Sequence, residues 1–149
     1  HKVEPTHPDF GFYGIHGVET LYTLMGTGCA SVNRMSSKEA DVVVGRWKDG
    51  RIGTFRGIKE GPSIYGGTAY TSKEAIPAGG YAGYKVLLDQ ILKFFKTGVA
   101  PISKEETIEI FTFMKASNMS KEQNGKIVSM EEAYQEGLKD ARKLIKSYK

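Results

Sequence analysis

The run Asp41–Ile58, "DVVVGRWKDGRIGTFRGI", decides how this chain folds. Two stretches rich in β-branched and aromatic residues flank Asp49-Gly50, and two such stretches around an Asp-Gly break are a strong short-range hairpin signal. The expected turn is type I′, which holds both central residues at positive φ. Trp47 and Phe55 are then placed to pack on neighbouring strands.

Strands continue on both sides of the hairpin. Upstream, "CASVNRMSS" from Cys29 reads as a strand. Downstream, "SIYGGTAYTS" reads as a further strand, with Gly66-Gly67 marking a bulge or a close backbone approach. "KEAIP" adds an edge segment. Before this β-rich block, Val18, Leu21, Tyr22, Leu24 and Met25 recur at helical spacing, which predicts a short amphipathic helix over 18–25, closed by Gly-Thr-Gly. The first dozen residues carry Pro5 and Pro8 and read as an arm or loop.

The second half is helical. "YKVLLDQILKFFKTG" sets Val86, Leu87, Ile91, Leu92 and Phe95 on one broad apolar face and stops at Gly98. Ser103 and Glu106 form a capping box before a helix whose expected buried stripe is Ile108, Phe111 and Met114, with Ile110 a further candidate. "NGKIV" predicts a brief strand, and Ser129 with Glu132 caps the last helix. Segregated strands and helices define an α+β domain spanning 1–149, an open and mainly antiparallel sheet with helices packed on one face. The other face is left for solvent or a partner subunit.

Composition narrows the function classes. With 149 residues, 40% of them hydrophobic, the chain is long enough for one domain with a real core. No apolar run approaches the roughly 20 residues needed to span a bilayer, so no membrane partner is expected. The single cysteine, Cys29, excludes an internal disulfide. The formal charge of +4 falls largely on Lys139, Arg142, Lys143, Lys146 and Lys149, at helical spacing near the C-terminus. There they complement a helix dipole, and no nucleic-acid module accompanies them. His1, His7, His16 and Cys29 do not fall at metal-ligand spacings, so no metal is expected. "GTGCAS" lacks the third glycine of G-x-G-x-x-G and follows a helix, and no G-x-S-x-G elbow occurs. Asn118-Met119-Ser120 matches the three-residue glycosylation sequon and nothing more. The chain begins without methionine and without the basic and apolar regions of a signal peptide, as expected of a piece of a longer protein whose targeting segment and compartment are unknown.

The residue least explained by packing is His16, in "YGIHGVETLYTLMGTG" (13–28). Gly14 and Gly17 leave backbone room beside it for a ligand, and Phe12 and Tyr13 precede it. Imidazole is the side chain whose ordinary titration lies near neutral pH, as proton exchange with an alcohol requires. Glu19, three residues on, shares its helical face and is placed to orient the ring or to bind a hydroxyl. From local physics alone a helix N-cap or a satisfied histidine is the favoured role.

Residues 12–19, Phe-Tyr-Gly-Ile-His-Gly-Val-Glu, followed by "TLYTLMG", resemble the D-x-G-x-H-x-x-D helix start in the C-terminal domain of the Gfo/Idh/MocA family (glucose–fructose oxidoreductase, inositol dehydrogenase and MocA-type proteins). Gly14 and His16 match in register, Glu19 replaces the last aspartate, and Phe12 stands where the family has the first. The closing stretch, with its "TG-x-x-P-I-S" turn and "G-x-x-V", is similar too. The resemblance implies an open-sheet domain preceded by a Rossmann domain that binds NAD or NADP, neither cofactor being expected on this chain. It implies His16 as the catalytic proton-transfer group while hydride passes between substrate and nicotinamide. Tyr13 and Glu19 are the implied substrate-binding residues for a sugar or polyol-like compound. His7, with Thr6, is either pocket lining or surface loop. A homo-oligomer through the open sheet face is the implied assembly; a non-catalytic assembly or ligand-binding module of the same fold is the alternative.

Overall fold

In the computed structural model, which describes residues 9–62, 64–80 and 83–148, the hairpin forms with a different turn. β2 (Ala40–Trp47) and β3 (Ile52–Ile58) pair antiparallel, Val43 opposite Phe55 and Gly45 opposite Gly53. The Gly50 amide donates to the Trp47 carbonyl at 3.0 Å and the Trp47 amide to the Arg51 carbonyl at 2.9 Å. Of the turn residues only Gly50 has positive φ, at 91°. This is a three-residue loop in which a type I turn runs into a glycine bulge, in place of type I′. It spares Asp49 the left-handed backbone that costs any residue with a Cβ. The Asp49 carboxylate instead accepts from the Arg51 amide at 3.1 Å and its Nε at 2.8 Å.

Around this hairpin the main sheet runs β3-β2-β1-β6, antiparallel throughout, with β1 at Cys29–Ser36 and β6 at Val128–Ser129. Strand alternation sends Val32, Arg34, Asp41, Val43 and Trp47 to a buried face, where α1 (Gly14–Met25) and α3 (Lys104–Glu122) pack. α4 (Met130–Ser147) lies on α3 and the β1–β6 edge. The opposite face, carrying Met35, Val42, Val44, Ile52 and Arg56, is open. The fold is the α+β arrangement expected, an antiparallel sheet with helices on one face.

Trp47 anchors the core: Tyr22 tilts onto its ring at 5.8 Å, and its Nε1 donates to the Gly26 carbonyl at 2.9 Å. Both capping serines act as expected, Ser103 Oγ accepting from the Glu106 amide and Ser129 Oγ from the Glu132 amide, each at 3.1 Å.

Four expectations are corrected. The first helix begins at Gly14 rather than near Val18. The segments read as added strands, β4 (Gly67–Tyr70) and β5 (Ala75–Ala78), pair only with each other, as a separate two-stranded ribbon. In α3 the buried side holds Ile110, Phe113, Met114, Ala116 and Ser117, while Ile108 and Phe111 are exposed. Most consequentially, α2 (Lys85–Thr97) buries none of its residues, so Val86, Leu87, Ile91, Leu92 and Phe95 all remain on the surface. Helical periodicity specifies that a helix has an apolar face; it does not specify what that face meets.

Candidate functional site

The first turn of α1 is seated from beneath by two aromatic rings. Phe10, fully buried, packs against Gly14, and Phe55 from β3 packs against Gly17; Phe10 and Phe55 meet edge to face at 5.3 Å. A Cβ at position 14 would lie 2.6 Å from the Phe10 ring. The room at these glycines is therefore occupied from inside by the core, and ligand access there is the reading the structure corrects. Close helix–sheet approach is what the two glycines permit.

His16 is the third residue of α1 and is not its cap. The cap is Tyr13, which makes no side-chain capping bond. The imidazole is half exposed and turned along the helix toward Glu19, with Nδ1 3.3 Å from Oε2. A carboxylate can only accept, so this contact is a hydrogen bond in the tautomer that carries the proton on Nδ1. That tautomer leaves the Nε2 lone pair free to take a proton from a substrate. Tyr13 lies edge-on to His16 with ring centroids 5.9 Å apart, and Phe12 lies edge-on to Tyr13 at 4.7 Å.

Three of the residues selected from sequence, Tyr13, His16 and Glu19, thus stand together; His7 lies outside the described residues. A fourth member was not anticipated: Tyr65, in the loop before β4, brings its ring to 6.4 Å from His16. No local signal marks it, because the loop's path depends on tertiary placement. The group sits on an open rim. Two surface clefts lie elsewhere: one of about 400 Å³ is bounded by Arg34, Ser36, Lys121 and Asn124, the other of about 310 Å³ by Ile108, Phe111, Lys115, Tyr134 and Leu138.

The first cleft borders a buried charge network that sequence reading also missed. Arg34, on β1, donates Nε and Nη2 to the Asp41 carboxylate at 3.2 and 2.9 Å. Its Nη2 also reaches Asp9 at 2.9 Å and its Nη1 reaches Asn118 at 2.9 Å, while the Phe10 ring stacks 4.3 Å from the guanidinium. Burial alone would push the Asp41 carboxyl up. Hydrogen bonds from Arg34, Ser36 and Lys59, with the Arg34 charge, outweigh it and hold the group below the usual carboxylate range. An inward position occupied by arginine, diagonal to an inward aspartate across the β1–β2 pair (Arg34 faces Val43 and Ser36 faces Asp41), is the signal that could have exposed the network. Its role is architectural: it ties the Asp9–Phe10 segment, and so the start of α1, to the sheet and α3.

Cys29 is unsuited to catalysis. Burial and the neighbouring Glu109 carboxylate push its thiol up to about 12, and the same two causes raise Tyr22. Glu109 Oε1 is occupied as a structural acceptor, taking the Gly28 and Cys29 amides at 2.8 Å and the Tyr22 hydroxyl at 3.2 Å. Among the described residues no three His, Cys, Asp or Glu are grouped to hold a metal ion, and no helix is long and apolar enough to cross a membrane.

Comparison with protein-family models, with characterised proteins and with solved structures finds no match to this chain.

Proposed function

We propose that this chain is the substrate and oligomerisation domain of an NAD(P)-dependent oxidoreductase acting on a sugar or polyol-like compound, with His16 as general acid/base. The observation that carries the reading is the His16–Glu19 pair at 3.3 Å, i,i+3 across the first two turns of α1. It supplies a proton acceptor at Nε2, with a carboxylate that orients the ring by accepting from Nδ1. The Tyr13 and Tyr65 rings stand 5.9 and 6.4 Å from the imidazole, and aromatic rings of this kind suit a polyhydroxylated substrate. The resemblance of residues 12–19 to the Gfo/Idh/MocA pattern supports the same assignment.

In this proposal the chain itself holds no dinucleotide: the strand pairings among the described residues are antiparallel, whereas the Rossmann arrangement seats a dinucleotide on parallel βαβ units. In this proposal the nicotinamide belongs to a separate domain, which also covers the open rim around His16 and excludes water from it. The open sheet face, with exposed Met35 and Ile52, is the subunit surface. The test is turnover of aldoses and polyols with NAD and NADP by the enzyme bearing this domain, compared with its His16→Ala variant.

The half-exposed position of His16, outside both clefts, favours a second reading, in which the fold is a non-catalytic assembly module. Sugar titration of the chain followed at the His16 ring by NMR separates the two, since an assembly module self-associates without any ligand-dependent shift.

A further inference from the structure

The β4–β5 ribbon gives the core no buried residue, yet its base is held against α1 one helical turn past His16. A Cβ built on Gly79 would stand 2.7 Å from Cγ2 of Thr20 and 3.7 Å from the Gly66 α-carbon. Thr20 has little freedom to yield, because its Oγ1 donates to the His16 carbonyl at 2.9 Å and a β-branched side chain on a helix has few rotamers. Gly79 also holds φ at 77°, in the left-handed region that suits glycine. Gly67 pairs with Ala78 across the ribbon, so both of its ends meet beside Thr20. Tyr65, the residue before Gly66, is thereby delivered to the imidazole, with ring centroids 6.4 Å apart.

The Tyr65 ring is 54% exposed where it meets His16. It supplies the apolar half of a recognition surface whose polar half is His16 with Glu19. A sugar in ring form has the matching division, with C–H bonds on its face and hydroxyls around its rim. The negative face of an aromatic ring attracts the partial positive charge of such C–H bonds. An open-chain polyol presents no flat C–H face, because rotation about each C–C bond turns its hydroxyls to all sides.

We propose that Tyr65 is the specificity-determining residue of this site: its ring stacks on the C–H face of a ring-form sugar and selects it over an open-chain polyol. The contact of Gly79 with Thr20 holds the stacking ring in place. This inference rests on the reading of His16 as the group that meets a sugar hydroxyl, and narrows the substrate class that reading allows. It also gives the ribbon a task that its absence from the core leaves open, which is to set one wall of the site at a fixed distance from the imidazole.

The experiment is NMR titration of the full chain with methyl β-D-glucopyranoside and, separately, with D-glucitol, followed at the ring protons of His16 and Tyr65. Wild type shows shifts at both rings with the glycoside and binds glucitol about tenfold more weakly. Tyr65→Phe keeps the preference, since the ring remains. Tyr65→Ala weakens glycoside binding about tenfold and leaves glucitol unchanged. Gly79→Val does the same with the tyrosine still present, by forcing the ribbon off Thr20, and abolishes the NOE between the two rings. Circular dichroism of each variant matches wild type, because the ribbon lies outside the core. Unchanged glycoside affinity in Tyr65→Ala, or equal affinity of wild type for the two ligands with shifts at His16, overturns this proposal and leaves the reading of His16 standing. A wild-type chain in which the glycoside produces no shift at His16 overturns both.

Discussion

The ring of Phe55 on β3 lies directly against the α-carbon of Gly17 in α1, one residue from His16, so closely that any side chain at 17 would overlap it. Sheet and helix are thereby keyed together at the candidate site. Helix propensity alone makes Gly17→Ala stabilising by up to about 1 kcal/mol. The contact with Phe55, itself held by Phe10, reverses that sign through overpacking of roughly 1–3 kcal/mol. Thermal unfolding is expected to show a lower Tm for Gly17→Ala and recovery in Gly17→Ala/Phe55→Leu. A raised Tm in the single variant contradicts the packing described.

Arg34 is the other tie on this helix start. Arg34→Met leaves Asp41 buried with Lys59 as its remaining cationic partner at 3.1 Å, and the expected loss is about 3–5 kcal/mol in denaturant unfolding. Replacing both Arg34 and Asp41 by apolar residues costs less than the single change. Equal losses in the two variants would show that the pair is not the coupled unit seen here.

The same carboxylate sets an acid limit. Asp41 is held below its ordinary range in the fold, so the unfolded chain takes up this proton first as pH falls. The contribution of Asp41 is fully present above the ordinary aspartate value of about 4 and is lost progressively as pH drops from there through the folded value. Stability measured against pH is expected to fall more shallowly in that acid range for an Asp41→Asn chain than for wild type. Identical slopes would contradict the assignment.

Cys29 offers a check on the core. With its thiol buried and raised to about 12, native protein at pH 8 is expected to resist iodoacetamide, while unfolded protein reacts fully. Native labelling at the unfolded rate would place Cys29 at the surface.

What was legible beforehand was local. The two strands flanking the Asp49-Gly50 break and the Ser103 and Ser129 caps are set by neighbours a few residues away, and each appears where expected. The type of turn was not, because two-residue and three-residue loops share the Asp-Gly signature and only the register with Arg51 separates them. Partners across the chain were not legible either. Periodicity marked apolar faces on α2 and α3, but whether Phe111 or Phe113 faces the sheet depends on docking. Gly14 and Gly17 looked like space for a ligand because a glycine's neighbour is invisible until Phe10 and Phe55 are placed. At the candidate site, Tyr13, His16 and Glu19 follow one another at three-residue spacing along the helix start and so could be read together, whereas Tyr65 lies 49 positions beyond His16.

Glu19 separates positioning from mere proximity. Glu19→Gln keeps the size of the side chain and removes the carboxylate that accepts from Nδ1, loosening the orientation of the ring. The expected result is a drop in kcat with little change in KM. An unaltered kcat would leave Glu19 as a surface residue.

The most direct measurement of the central claim is steady-state turnover, with a verified sugar or polyol substrate and nicotinamide cofactor, of the enzyme carrying this domain and of its His16→Ala variant. Loss of a general acid/base predicts a fall in kcat of about 10²- to 10⁴-fold with the fold retained. A near-wild-type rate in His16→Ala contradicts the account.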